Sequence, residues 1–241
     1  MRRAAVVVAL ALVTSACSST FGFPEGGTQQ GRDIRELWTV FVLAAIAVAG
    51  VVYALIAWSL LRYRRRRGED PDALGRQFHA NVPLEVAYTA IPVAIVVALF
   101  SASLLTERRV TALDPDPATT VEATAFAWGW RFVYPEEQIE IVSPPSRPGE
   151  PGPELVLPLG EPTRVVLRSQ DVIHAFWVPA FNFKRDAIPG RTTSFDLTPT
   201  HLGRFRGVCA EFCGLNHAVM TFTVRVVEPE AFEAWAREAA G

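Results

Sequence analysis

Cys209-Ala-Glu211-Phe-Cys213-Gly-Leu-Asn-His217-Ala-Val-Met220 places two thiols, an imidazole and a thioether on one short, turn-rich stretch. Thiolates bridge metal ions, imidazole suits copper or zinc, and a thioether is a weak, soft ligand that favours copper over harder cations. A second imidazole stands upstream, at His174 in Asp171-Val-Ile-His174-Ala-Phe-Trp177-Val-Pro179. One His for each of two metals bridged by two sulfurs fits a dinuclear copper centre, whereas a single blue copper uses one Cys and two His. Such ligands need a rigid scaffold.

Other uses of these residues stand beside that reading. In an oxidising compartment two cysteines four apart can form a disulfide, but that leaves His217 and Met220 without a reason for their offsets. A structural Cys2His2 zinc site has the same ligand identities, yet leaves Met220 unused and lacks zinc-finger spacing. Taken singly, His174 is a core histidine and Met220 a core filler.

The scaffold lies downstream of residue 111, where short β-branched or aromatic runs are bounded by Pro and Gly. Examples are Thr119 to Phe126, Trp130 to Tyr134, Glu154 to Leu157, Thr163 to Arg168, Val172 to Val178, Thr192 to Leu197, Gly203 to Val208 and Val219 to Val227. Regular short strands with such turns predict a sandwich or small barrel. With the ligand loop late in the strand series, the expected domain over residues 111–229 is a cupredoxin-like Greek-key β-sandwich or barrel. Ser143 to Pro153 is a Pro-rich surface loop, and residues 230–241 read as a C-terminal helix.

Upstream, the chain is built for a membrane. No charge occurs between Glu36 and Arg62, and none between Glu85 and Glu107. Runs of this length cross a hydrocarbon layer of about 30 Å as helices, so a transmembrane hairpin is expected over residues 37–110, with spans at 37–61 and 86–106. Trp38 and Trp58 put aromatics near the interfaces. Pro92 lies inside the second span, where neighbouring helices satisfy the freed carbonyl. Arg62, Arg64, Arg65, Arg66, Arg67 and Arg76 place the connecting loop in the cytoplasm, and both flanks outside, by the positive-inside rule. The expected location is the plasma membrane, with the C-terminal domain on the extracytoplasmic side.

At the N-terminus, Arg2 and Arg3, an apolar run to Val13 and small residues to Ala16 form a signal-peptide pattern over residues 1–16. Residues 17–36 would then be an extracytoplasmic segment. Cys17 is placed for lipoprotein cleavage and acylation, although Thr14 stands where an aliphatic residue is usual. Ordinary cleavage at the same bond and an uncleaved stretch are the other readings. With 23 Lys and Arg against 25 Asp and Glu, and half the residues apolar, the composition argues against a nucleic-acid partner. Basic charge is carried by arginine, with Lys184 the one lysine.

The spacing Cys-x-Glu-x-Cys-x3-His-x2-Met, preceded by Asp-Val-x-His and by Lys184-Arg-Asp186-Ala-Ile-Pro189-Gly190-Arg191, resembles subunit II of the haem-copper cytochrome c oxidases. The likeness runs from the first span to the C-terminus. It implies an electron-entry subunit that takes electrons from cytochrome c at a dinuclear CuA centre and passes them to haem a in subunit I. There oxygen is reduced to water with proton translocation, so haem belongs to the partner. By resemblance Cys209 and Cys213 bridge the coppers, His174 and His217 are terminal ligands, and Met220 and the Glu211 carbonyl are axial. The Glu211 carboxylate would reach a magnesium or manganese ion shared with subunit I, which suits a hard cation; a solvated loop glutamate is the alternative. Residues 184–191 match the family segment lying against subunit I. Subunit III, membrane lipid and a cytochrome c, soluble or membrane-bound, complete the expected partners.

Two further positions follow. Trp128-Gly-Trp130, with Phe132 and Tyr134, alternates aromatics at period two and reads as a strand with one packed face. By resemblance Trp128 is the electron-entry tryptophan. Val133 and Gln170 stand where relatives carry acids for a basic cytochrome, leaving Asp171, Glu136 and Glu137 as nearby candidates and weaker steering. Asp171 and Asn216 are placed to support ligands or to form turns. Glu85 matches the family glutamate at the entrance of a proton path; otherwise it is a helix end favoured by the dipole. Alternative functions are a CuA-bearing subunit of another terminal reductase, a copper-delivery protein, or a membrane scaffold with a disulfide. The copper-free quinol oxidase subunit lacks these ligands.

Overall fold

The computed structural model describes residues 22–64, 68, 77–143 and 152–241. The signal-peptide reading, Cys17, Arg65–Arg67, Arg76 and residues 144–151 of the Pro-rich loop lie outside the described residues. The chain divides into two compact units, residues 37–106 and the remainder.

Two long helices, α1 (Gln29–Arg62) and α2 (Val82–Val110), are long and apolar enough to cross a membrane. Each starts before its apolar run, because a cap is available there. Thr28 Oγ1 accepts the Gly31 N–H at 3.0 Å and starts α1. At α2, Asn81 Oδ1 accepts the Leu84 N–H at 3.3 Å while Glu85 Oε1 accepts the Asn81 N–H at 3.1 Å. This reciprocal arrangement satisfies donors that have no intrahelical partner. Pro92 lies within α2, and the helix continues past it.

The other unit is a two-sheet sandwich. Its strands are β1 (Thr119–Phe126), β2 (Gly129–Tyr134), β3 (Ile139–Val142), β4 (Glu154–Pro158), β5 (Thr163–Ser169), β6 (His174–Val178), β7 (Phe183–Ala187), β8 (Thr193–Leu197), β9 (Gly203–Cys209) and β10 (Thr221–Val227). One sheet runs β3-β2-β1-β5-β8 and the other β4-β10-β9-β6-β7. β1 with β5 and β10 with β4 are parallel, and the other named pairs are antiparallel. The fold is thus the expected cupredoxin-like one. The strand expected from Val219 begins at Thr221, because residues 217–219 wind into a 3-10 turn.

Alternation builds the core. Trp130, Phe132 and Tyr134 of β2 are fully buried, while Arg131 between them is exposed. The Phe222 ring lies 5.1 Å from Trp130, 5.7 Å from Phe132 and 4.7 Å from Phe176. Helix α3 (Pro229–Ala239) covers the opposite end of β2, with Trp235 edge-on to Tyr134 at 5.2 Å. The Tyr134 hydroxyl accepts the Val156 N–H at 2.8 Å and donates to its carbonyl at 2.9 Å.

Residues 24–31 bind the same sandwich. The Gly27 N–H donates to Ala180 O at 2.8 Å, the Thr200 N–H to Gly27 O at 2.9 Å, and the Gln29 N–H to Thr198 O at 3.0 Å. A Cβ on Gly31 would overlap the Phe181 carbonyl, so this approach requires glycine.

Gly207 in β9 lies beneath Phe222, and a Cβ there would overlap three atoms of a ring already wedged among aromatics. Gly207→Ala is therefore expected to destabilise the β-domain by about 1–3 kcal/mol, the usual cost of overpacking. Denaturant unfolding followed by tryptophan fluorescence measures it, and an unchanged midpoint would refute the tight contact.

Candidate metal centre

The β6–β9 pairing creates the site. Phe176 stands opposite Cys209, and the Ala210 N–H reaches Ala175 O at 3.3 Å. Side chains alternate along a strand, so His174 shares the inward face of Phe176 and is fully buried. After β9 the chain turns through residues 210–216, and the 3-10 turn from His217 to Val219 returns it to β10. The Cys209 N–H donates to Met220 O at 2.9 Å and closes this loop at its neck.

The donor atoms converge. The Cys209 and Cys213 sulfurs lie 3.8 Å apart, too far for a disulfide, which needs about 2.05 Å. His174 Nδ1 is 3.8 Å from Cys209 Sγ, and His217 Nδ1 is 3.6 Å from Cys213 Sγ. Met220 Sδ lies 3.8 Å from Cys213 Sγ, and the Glu211 carbonyl oxygen 3.3 Å from Cys209 Sγ. Ligand atoms of His174, Cys209 and Cys213 all fall within 4.8 Å of one another, and all three residues are buried. Each sulfur thus has its own imidazole and its own weak donor. This paired set fits two copper ions better than one tetrahedral zinc, which would take four strong ligands and leave Met220 idle.

Protonation follows the packing. Burial pushes the Cys209 thiol up, but the His174 imidazole and backbone hydrogen bonds at Ala175 and Glu211 outweigh it and bring the pKa to about 6. Burial and the neighbouring Cys209 push Cys213 up to about 12. Two adjacent thiolates repel, so the second charge forms readily only with a cation between them. For His174, burial lowers the pKa, but contacts with Cys209 and Asp171 outweigh it and raise the pKa overall.

Trp128 and Trp130, equivalent by periodicity, differ in the structure. Trp130 is fully buried, whereas Trp128 is half-buried and its Nε1–H donates to the Cys213 carbonyl at 2.8 Å. Gly214, at φ +110°, passes under the indole, and a Cβ there would stand 3.1 Å from Trp128 Cζ2. Spacing alone carries no signal for this bond.

Asp171 accepts hydrogen bonds from the Ala127 N–H at 2.7 Å and the Val172 N–H at 2.7 Å, and meets His174 Nε2 at 2.8 Å. Asn216 contributes its carbonyl, which accepts the Val219 N–H at 3.1 Å. The Glu211 carboxylate pairs with Lys184 at 2.5 Å, and Lys184 also meets Asp186 at 3.0 Å. Glu136 and Glu137 are not near Trp128: they sit in the turn beyond Tyr134, roughly 20 Å away along β2 at about 3.3 Å per residue. Glu85 belongs to the helical unit and caps α2.

Comparison with known proteins agrees with this geometry. Residues 119–227 match the family model "Cytochrome C oxidase subunit II, periplasmic domain", and residues 16–105 match "Cytochrome C oxidase subunit II, transmembrane domain". Cytochrome c oxidase subunit 2 of Mycobacterium tuberculosis (strain H37Rv) is 33% identical over 293 residues, covering 98% of this chain and 80% of the relative. The probable cytochrome c oxidase subunit 2 of Streptomyces coelicolor is 35% identical over 246 residues, covering 88% and 76%. Among solved structures, the periplasmic domain of subunit II of cytochrome oxidase of Bradyrhizobium japonicum is 37% identical, covers 53% of this chain and 96% of its own, and has a TM-score of 0.48. With both halves matched and relatives aligned over nearly its whole length, the chain belongs to the cytochrome c oxidase subunit II family, membrane-anchored components of an oxidoreductase complex.

Proposed function

We propose that this chain is the electron-entry subunit of its oxidase, accepting electrons from a cytochrome c at a dinuclear copper centre and passing them to haem a in subunit I. The observation that carries the reading is the sulfur pair at 3.8 Å, each sulfur flanked by a different imidazole Nδ1. Cys209 and Cys213 would bridge the metals, His174 and His217 would be terminal ligands, and Met220 and the Glu211 carbonyl would be weak axial ones. When bound, the copper pair supplies one-electron acceptance and release, with the charge spread over two metals and two sulfurs. The protein's part is to hold the ligands still, so that little rearrangement accompanies the change of charge.

Trp128 is proposed as the entry point. Its half-exposed indole and its hydrogen bond to the Cys213 carbonyl support a route of one hydrogen bond followed by covalent bonds into the donor cluster. A cytochrome meeting this face finds few free acids, since Asp171 serves three donors and Glu211 pairs with Lys184. Glu211 would have to leave Lys184 to bind a magnesium or manganese ion at a contact with subunit I. In orientation, we infer that the β-domain is extracytoplasmic, as the arginines between the spans imply. Glu85 would be the entrance to proton uptake in subunit I as well as the cap of α2.

Three outcomes follow. The copper-loaded wild-type chain should hold two copper ions and show thiolate-to-copper absorption. Cys213→Ser should lose the dinuclear centre, while Met220→Leu should keep both ions with a changed potential, because the axial thioether binds weakly. Metal analysis giving one copper in the loaded wild type, or two in Cys213→Ser, contradicts the proposal. Trp128→Ala should sharply slow reduction by cytochrome c with little loss of stability, whereas Trp130→Ala should cost about 3–5 kcal/mol of stability. Stopped-flow reduction and denaturant unfolding separate the two, and the reverse result would exchange their roles. Glu85→Gln in the assembled oxidase should slow oxygen-reducing turnover while leaving copper content and its reduction unchanged; unimpaired turnover across neutral pH would leave Glu85 as a cap alone.

A further inference from the structure

The geometry points to Asp171 as a positioning residue for both parts of the electron-entry path: its carboxylate orients His174 toward the sulfur pair and pins the turn that carries Trp128. This inference rests on the dinuclear copper reading above.

Asp171 Oδ1 meets His174 Nε2 at 2.8 Å and the Val172 N–H at 2.7 Å, while Oδ2 accepts the Ala127 N–H at 2.7 Å. A neutral imidazole carries one N–H. With that proton on Nε2 and directed at the carboxylate, Nδ1 presents its lone pair to the sulfur side, 3.8 Å from Cys209 Sγ. The opposite tautomer would aim an N–H at the donor cluster and leave a nitrogen lone pair facing carboxylate oxygens. Carboxylate partners of metal-binding histidines commonly set the tautomer in this way.

The second oxygen acts elsewhere. Ala127 immediately precedes Trp128, so the bond to its N–H ties the β1–β2 turn to the residue that aims His174. On its other side Trp128 is held by the Cys213 carbonyl. A closed circuit results: Asp171 to Ala127 and Trp128, Trp128 to Cys213, Cys213 across the sulfur pair to Cys209, and Cys209 to His174 and back to Asp171. Displacement of the tryptophan and misdirection of the ligand therefore share one cause, the loss of this carboxylate.

Asp171→Asn isolates the role, because it preserves shape but offers one oxygen in place of two. If its amide nitrogen faces Ala127, two donors oppose each other and the Trp128 turn is released. If it faces His174, the imidazole must accept at Nε2 and carry its proton on Nδ1, where the metal should bind. Either orientation breaks one arm.

The test uses the full chain in detergent, with wild type, Asp171→Asn and Asp171→Ala loaded with copper in parallel. Asp171→Ala, which removes both arms, is expected to lose copper affinity by about 10–100-fold, to shift the thiolate-to-copper absorption and the reduction potential, and to lower the maximal rate of reduction by cytochrome c more than it raises KM. Asp171→Asn should show the effects of the one arm it breaks. In the copper-free wild type, at a pH high enough for the imidazole to be neutral, nitrogen NMR of His174 should show its one proton on Nε2. Suppose the wild type holds two coppers and Asp171→Ala matches it in affinity, spectrum and potential. A raised, salt-sensitive KM would then make Asp171 only a docking charge, and a lowered melting temperature only a fold residue; either overturns the inference. A wild type that holds no copper pair would instead defeat the functional reading, and the His174 tautomer would still judge Asp171: a neutral imidazole with its proton on Nδ1 overturns it.

Discussion

The pairing of β6 with β9 through Phe176 and Cys209 is the constraint on which the rest of the site depends. A strand has a side-chain period of two, so a slip of one residue would turn His174 out to solvent and bring Ile173 or Ala175 inward. What holds the register lies away from the ligands. Phe176 packs against Phe222 at 4.7 Å and Phe195 at 5.5 Å, and edge-on to Trp130 at 6.0 Å. The aromatic core and the donor cluster thus share an element, and close apolar packing holds the donor side chains in place.

Charge is arranged to match. Around the donors, the carboxylates already have partners: Asp171 faces two backbone N–H groups and an imidazole, and Glu211 and Asp186 face Lys184. Within the cluster, one thiol ionises easily and its neighbour resists, an imbalance that a bridging cation removes. Farther away, Arg164 meets the buried Asp196 at 2.5 Å and pairs β5 with β8 by charge as well as by backbone. These polar contacts orient and specify; the aromatic residues carry most of the stabilising burial.

The donor set was legible in the sequence because metal chemistry demands rare residue types at fixed offsets, and Cys209, Cys213, His217, Met220 and His174 supply them within one loop and one strand. The spans were legible because hydrocarbon tolerates few charges. Less visible were features made by contact. β7, Phe183–Ala187, carries Lys184, Arg185 and Asp186 and so lacks the apolar alternation that marks a strand, yet it completes a sheet by pairing with β6. The attachment of residues 24–31 to the sandwich runs through backbone groups and two glycines, which leave no hydrophobic pattern. Trp128 and Trp130 were indistinguishable by period, since the difference arises just before β2 begins, where the turn leaves one indole partly exposed. Asp171 announced a turn or a support, and only three-dimensional placement revealed that one carboxylate serves both.

The threading of the site through the chain has a temporal side. Its ligands come from β6, from the end of β9 and from the turn before β10, and β9 is hydrogen-bonded between β6 and β10. As the chain is made from its N-terminus, β1, β2 and β3 can pair with one another, but the cysteines meet His174 only when the second sheet closes late in synthesis. Until then each thiol is an isolated, weakly ionised group with little hold on a metal. Under the proposed function, capture of copper would therefore be the last act of folding rather than its nucleus, and a chain that stalls before β9 pairs would present an incomplete ligand set.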